Sequence, residues 1–489
     1  MSDNLARNRE MGESHRTATL IILDGARADV FEYLVAAGDL PNLSRHLLEP
    51  GGVVAATTVF PSTTGVAYLP FLTGCYPGTC DVPGIRWLDP RGYAGHWWRD
   101  RQHLRSYCGP QGGKINDDLP EEMPTLFDVI PDSVALCSPF TRGLKPEYDR
   151  VQFARKVWGG LAHYTAGYGI LERAVGRELC RLVPERHRFT LAVFPGVDGV
   201  THFWDPWHSD VLNVYREFDE IIGSYAAAGG CDGDRLTLVV SDHGLSRVDR
   251  HTDISLALEE IGMPTLRHPV VWRRNPRAAV MVSGNGSVQV YLQPGRLRSS
   301  RFGLSEIEQG HVPDVPGSVV RYIASLPGIA MVVAADGPTV WLISRTGRAT
   351  LEPLDGGAIR YTPVSADVLE IGGGGTHTDR EWLERTLDSP YPDAPTQLTQ
   401  LFRSPRTGDL TVIAQLGTDL RLDWEIPEHR SGHGSLFAEH MRCLVASNLR
   451  LRGPVRTVDL FPLILNYLGV TVPEAIDGKA PLLAEELAA

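Results

Sequence analysis

Three stretches of the chain are almost continuously apolar for six residues and then stop at a carboxylate. ATLIIL (18–23) runs into Asp24-Gly25, FTLAVF (189–194) into Pro195-Gly196-Val197-Asp198, and LTLVVS (236–241) into Asp242-His243-Gly244. Runs without apolar–polar alternation predict strands covered on both faces, the habit of parallel sheets. Open parallel sheets bind ligands beyond the carboxyl ends of their strands. The pattern therefore sets three carboxylates along the edge where a site is expected.

Residues 26–48 and 153–187 predict helices between these strands, and the Trp-, Arg-, Gly- and Pro-rich stretch 83–125 predicts a lid over the sheet edge. Beyond about residue 265, shorter β-like runs (287–292, 329–335, 339–344) separated by Gly and Pro turns predict a smaller α+β insertion. The glycine run 372–375 is a loop or hinge and not a phosphate-cradling loop, because no Gly-Lys-Ser/Thr follows it. DLTVIAQL (409–416) predicts a return to the first sheet, and VDLFPLILNYLG (458–469) a closing amphipathic helix with a glycine stop. The expected fold is α/β, a largely parallel central sheet flanked by helices plus the α+β insertion. The expected organisation is a disordered tail over 1–16, a core built from 17–265 and 401–482 with a lid-like segment at 83–190, and the insertion at 266–400.

Composition narrows the function. Forty-seven basic against 59 acidic residues give a net charge of −12, which argues against a surface for a nucleic-acid polymer. A small anionic substrate then needs local positive charge, and a metal would supply it. Seven cysteines are scattered without a C-x-x-C pair, so a thiolate zinc site or a thioredoxin-like motif is not expected. Cys75 and Cys80 are close enough in sequence to pair; the alternative is free buried thiols in a reducing compartment. The first sixteen residues are polar, the first apolar run is too short for a secretory segment, and no stretch reaches the roughly 18 apolar residues of a membrane span. The expectation is a cytoplasmic protein without a membrane partner.

The candidate chemistry lies in five places: Asp24; the loop Phe60-Pro61-Ser62-Thr63-Thr64-Gly65 with Thr73-Gly74 beyond it; Asp198 with His202; Asp242-His243-Gly244; and His433-Gly434. Taken singly, each has an ordinary structural reading. A strand-end Asp caps helices, and Asp198 and His202, four apart, form a surface pair if that segment is helical. Together they offer three carboxylates and three imidazoles, a donor set suited to zinc and similar divalent ions and numerous enough for two of them.

In kind, order and approximate spacing these motifs resemble the alkaline phosphatase superfamily, in particular the type I phosphodiesterase/nucleotide pyrophosphatase branch with its phosphonoacetate hydrolase relatives. The resemblance runs from about residue 18 to 480 and includes the closing Thr457-Val458-Asp459-Leu460-Phe461-Pro462 segment. It implies an alkaline-phosphatase-like core and a hydrolase of phosphodiester or pyrophosphate bonds. It implies two divalent ions, zinc in preference to manganese. Asp198, His202 and His433 would hold one, and Asp24, Asp242 and His243 the other together with Thr64. Thr64 would be the nucleophile and form a phospho-threonine intermediate, with Thr63 and Ser62 as alternatives in a shifted register. The Gly65 amide would contact a phosphoryl oxygen.

The chain also departs from that pattern. The asparagine usual in the loop after Thr-Gly is replaced by Ile85, beside Arg86 and Trp87, and Gly65-Val66-Ala67 stands where Phe-Pro-Asn is usual. Arg86 is then the candidate phosphoryl contact, since a guanidinium binds two phosphate oxygens. Trp87, Trp97 and Trp98 are candidates to stack on a flat leaving group. His208, His251 and His429, near proposed ligands in sequence, are candidates to orient them. The alternative chemistries on the same site are phosphonate C–P hydrolysis and phosphomonoester hydrolysis. A sulfatase is disfavoured because its Cys/Ser-x-Pro-x-Arg signature is missing. A silent binding protein is disfavoured because the whole ligand set is present.

Overall fold

The computed structural model describes residues 16–96, 98–267, 273–421, 428–481 and 483. The expected tail, but for its last residue, and Trp97 lie outside the described residues. The three apolar runs form the centre of an eight-stranded sheet, ordered Val455–Arg456, Gly52–Thr57, Arg442–Ser447, Arg235–Val240, Thr17–Leu23, Phe189–Phe194, Ser133–Leu136 and Asp149–Arg150. Thr17–Leu23 pairs parallel with both Phe189–Phe194 and Arg235–Val240. Arg442–Ser447 runs antiparallel to its neighbours, so the sheet is largely parallel. Phe189–Phe194 is buried at every position and Arg235–Val240 at all but its first, because helices cover both faces. Among these are the long helix Ser209–Ala227 and the closing helix Leu460–Tyr467.

The chain after residue 265 builds a second sheet of nine strands, almost wholly antiparallel, with its own core on each face. The insertion is therefore not smaller in strand count than the catalytic sheet. The run at 409–416 does not return to the first sheet as expected. Leu410–Ala414 is a central strand of the second, between Ser287–Leu292 and Ile329–Asp336. A strand buried on both faces reads the same in either sheet, and no local feature says which one it joins.

One turn of the second sheet reaches the candidate site. Residues 284–286, between strands Ala278–Ser283 and Ser287–Leu292, grip the backbone of His433: His433 N donates to Gly284 O at 3.1 Å and Gly286 N to His433 O at 2.8 Å. The same strand end holds the lid-like segment, where Ile85 N donates to Ser283 Oγ at 2.8 Å. All seven cysteines are unpaired. Cys80 Sγ sits against the Thr73 hydroxyl and the Cys75 carbonyl, so that pair is not bridged. No helix among the described residues is long and apolar enough to cross a membrane.

Candidate metal centre and active site

Parallel pairing aligns the strand ends, and short turns do the rest. Asp24 follows the central strand directly. Gly25 takes a positive φ of 73° and donates its amide to Asp242 Oδ1 at 3.1 Å. A Cβ on Gly25 would stand 2.7 Å from the Cβ of Asp198, so only glycine lets these turns approach. Asp198 N donates to Asp24 O at 2.9 Å. Asp198 lies on the short helix Gly196–Thr201 and His202 is its C-cap, so the four-residue spacing puts both on one face, with Nε2 3.3 Å from Asp198 Oδ2.

Two donor trios result. Asp24, Asp242 and His243 form one and Asp198, His202 and His433 the other, each with ligand atoms within 4.8 Å of one another. His202 donates Nδ1–H to the Ser431 carbonyl at 2.9 Å, which aims Nε2 at the Asp198 carboxylate, the nitrogen a metal would take in place of a proton. Buried Asp198 Oδ1 and Asp242 Oδ2 accept no hydrogen bond. An orphaned carboxylate oxygen in each trio, beside imidazole and further carboxylate, fits a divalent cation bound at each place.

The electrostatics agree. Burial, with Asp242 and Asp198 beside it, raises the Asp24 carboxyl well above its ordinary range. Burial also raises Asp242. Burial pushes Asp198 upward too, but His202 beside it outweighs that and holds its carboxyl below the usual range. Burial and His243 keep His433 neutral, the form that binds a metal. Three carboxylates packed this closely repel one another unless cations intervene.

Of the three hydroxyls in the 62–64 loop, one faces these trios. Thr64 Oγ1 lies 2.9 Å from His243 Nε2 and 3.4 Å from Asp24 Oδ1. Ser62 turns away to donate to the Ser435 carbonyl at 2.7 Å, and Thr63 is fully buried. The loop is pinned from behind by the buried helix Ala394–Leu401: Phe60 N donates to Gln397 Oε1 and Gln400 Nε2 to Phe60 O, each at 3.0 Å. Gly65, with φ 90°, opens the helical turn Val66–Tyr68.

Other expected contacts fall differently. Trp87 does not offer a stacking face. It is fully buried, its indole N–H donates to Tyr107 Oη at 2.9 Å, and the Arg406 guanidinium covers its ring at 4.4 Å. Arg86 is buried on strand Arg86–Leu88, its Nε 3.4 Å from Ser106 Oγ. His208 caps helix Ser209–Ala227 and stacks on Trp204. His251 sits on a short exposed strand beside Glu428. His429 alone of that set reaches a trio, stacked on His202 at 4.0 Å.

Two residues of the site carry no motif. Tyr68 Oη donates to Asp24 Oδ2 at 2.5 Å; it ends the turn Val66–Tyr68 that follows Gly65, and nothing in the sequence marks it. Glu172 is buried and its Oε1 accepts from Gly196 N at 2.9 Å, anchoring the helix that bears Asp198; nothing in its helical surroundings marks it.

Burial pushes the Glu172 carboxyl up to about 8. In the unfolded chain it ionises near 4.5. Folding therefore holds a proton between those values, and stability falls as pH rises across that window. Glu172→Gln keeps the acceptor for Gly196 and removes the titration. Thermal melts should show equal stability near pH 4.5 and a variant more stable by roughly 4 kcal/mol at pH 8.

The sequence profile of type I phosphodiesterase / nucleotide pyrophosphatase matches residues 18–333. No curated protein matches the chain in sequence. Among solved structures, phosphonoacetate hydrolase from Sinorhizobium meliloti 1021, in complex with phosphonoacetate, aligns at TM-score 0.57 and 15% identity, over 93% of this chain and 96% of that one. Human ectonucleotide pyrophosphatase / phosphodiesterase 5 aligns at TM-score 0.55 and 13% identity, over 95% and 97%. Its murine counterpart aligns at 0.54 and 13%, over 94% and 96%. At such identities these structures show a shared fold. With strand-end carboxylates, a hydroxyl loop and a profile match over most of its length, the chain belongs to the type I phosphodiesterase / nucleotide pyrophosphatase family.

Proposed function

We propose that the protein is a two-metal hydrolase that cleaves phosphate esters, phosphodiester or pyrophosphate bonds, through a phospho-threonine on Thr64. The observation that carries this is the position of the Thr64 hydroxyl against one donor trio, with the second trio adjoining it through Asp198 and Asp24. Asp24, Asp242 and His243 would hold one divalent ion together with Thr64; Asp198, His202 and His433 would hold the other. Two such ions, zinc by donor type, supply the positive charge that stabilises a deprotonated hydroxyl and the oxygens of an in-line displacement.

The chain's own groups do the remainder. Thr64 Oγ1 gives its proton to solvent and attacks phosphorus, its P–O bond forms as the bond to the leaving oxygen breaks, and that oxygen leaves protonated by solvent. Water then attacks phosphorus from the vacated side, the bond to Oγ1 breaks, and Thr64 regains its proton. The turn at Gly65 offers backbone N–H to a phosphoryl oxygen. Tyr68 and the Gly25 amide fix the Asp24 and Asp242 carboxylates, so the donors stay in place while charge develops.

The test is a panel of substrates: 4-nitrophenyl phosphate, methyl 4-nitrophenyl phosphate, 4-nitrophenyl phenylphosphonate and phosphonoacetate. Each is assayed with metal-loaded protein, after chelation, and after zinc or manganese is restored. Diester or phosphonate-ester turnover that disappears on chelation and returns with metal is the expected result. Preference for the monoester would move the assignment to a phosphatase, and phosphate release from phosphonoacetate alone would move it to C–P hydrolysis.

A further inference from the structure

The lid-like segment carries a feature that the catalytic reading does not use. Residues 152–165 form one helical run, α-helical at both ends with a π turn at Arg155–Gly159. Along it Phe153, Val157, Trp158, Leu161 and Tyr164 are 76, 38, 41, 53 and 62% exposed. Spacings of four, four and three through 153, 157, 161 and 164 make an apolar stripe that faces water. A contiguous apolar stripe on a soluble surface marks a binding surface.

The stripe is continuous with the metal centre. His202 stacks on His429 at 4.0 Å, His429 meets the His163 ring at 6.0 Å, and His163 meets the exposed Tyr164 ring at 5.2 Å. Just beyond the run, Tyr168 packs on Gly199, within the helix that carries Asp198; a Cβ there would stand 2.1 Å from the tyrosine ring. The run contains Arg155 and Lys156 and no acidic residue, in a chain of net charge −12. A phosphate anion approaching along this face meets no carboxylate of the helix.

The geometry points to a substrate with an apolar arm: a phosphorus ester whose alkyl or aryl substituent lies along the 152–165 helix while its phosphoryl group sits at the trios. This rests on the ester-hydrolase reading above and names the substrate class within it. Trp158, Leu161 and Tyr164 are then specificity residues.

The experiment uses full-length, metal-loaded protein and a series of 4-nitrophenyl alkyl phosphates from methyl to octyl. An open face removes water from about half of each methylene, so kcat/KM should rise roughly twofold per carbon. In Trp158→Ser/Leu161→Ser, both surface positions, the slope against alkyl length should flatten. Octylphosphonate, which has no ester to cleave, should bind the wild type more tightly than methylphosphonate by calorimetry, and the double variant should lose that preference. Turnover of the methyl ester with no dependence on chain length overturns the inference and leaves the hydrolase reading standing. No turnover of any ester, with the octylphosphonate preference present and lost in the variant, removes that reading and supports the apolar platform. A flat slope accompanied by a variant-sensitive dimer in light scattering assigns the stripe to contact between copies. A flat slope with sedimentation on phosphatidylcholine vesicles assigns it to a lipid surface. Either result overturns the substrate arm.

Discussion

Thr64→Ala should lower kcat/KM for the best diester by at least about 10⁴-fold, the scale on which a covalent nucleophile acts together with its activating groups. The protein should stay folded and keep its metals. The reason lies in the loop's construction. Its backbone is held by Gln397 and Gln400, and Ser62 is tied to the Ser435 carbonyl, so none of these anchors involves the Thr64 side chain. The six carboxylate and imidazole donors also survive the change. Elemental analysis should therefore give the wild-type metal content. Rapid quench of the wild type should trap phosphate on the protein at Thr64, and the variant should trap none. Thr64→Ser, which keeps a hydroxyl, should restore most of the trapping. Wild-type turnover by Thr64→Ala would sink the covalent route, and trapping at Thr63 would move the nucleophile one residue back.

The strand-end carboxylates were legible because a strand buried on both faces tolerates no charged residue in its interior. The first carboxylate after such a run thus marks both the strand's end and the position of a group facing the site. Asp24, Asp198 and Asp242 are all of this kind. His202 was legible from helical spacing to Asp198. His433 was legible only as a motif, since what places it is the 284–286 turn of another sheet, more than 140 residues away in the chain. The Leu410–Ala414 strand and Trp87 were misread for a common reason. An apolar side chain announces burial, and it does not say which core it enters or whether an aromatic faces a ligand or a neighbour. Glu172 had no signal at all: a glutamate in a helix is ordinarily a solvated one, and only the packed structure shows that it is buried against Gly196. Tyr68 is a similar case: Gly65, at φ 90°, separates it from Thr64, and only the packed structure shows its hydroxyl on Asp24.

Removing metal should cost stability as well as turnover, and the two trios should be separable. Without cations, Asp24, Asp198 and Asp242 are buried together, and burial with mutual repulsion raises Asp24 and Asp242. Those raised carboxyls bind protons in the folded chain that the unfolded chain has released, so the metal-free protein should lose stability as pH rises from the ordinary carboxylate range toward neutrality. An ion bound only by the folded state adds about 4 kcal/mol when its free concentration is a thousand times its dissociation constant. The melting temperature should thus fall on chelation by several degrees, more at pH 8 than at pH 5, and recover with zinc. Asp198→Asn removes a charge from the trio with His202 and His433 and leaves Asp24, Asp242 and His243 intact. It should drop metal content from two ions per chain toward one, and lower kcat/KM by roughly 10³-fold, comparable to losing a principal electrostatic stabiliser of the transition state. Asp242→Asn should also lose one ion, the one proposed to share Thr64, and with it the quench-trapped phosphate. If either variant kept two ions and full turnover, or lost both ions at once, the division of the donors into two sites would be wrong, since one trio has two carboxylates and one imidazole, the other one carboxylate and two imidazoles, and no residue belongs to both.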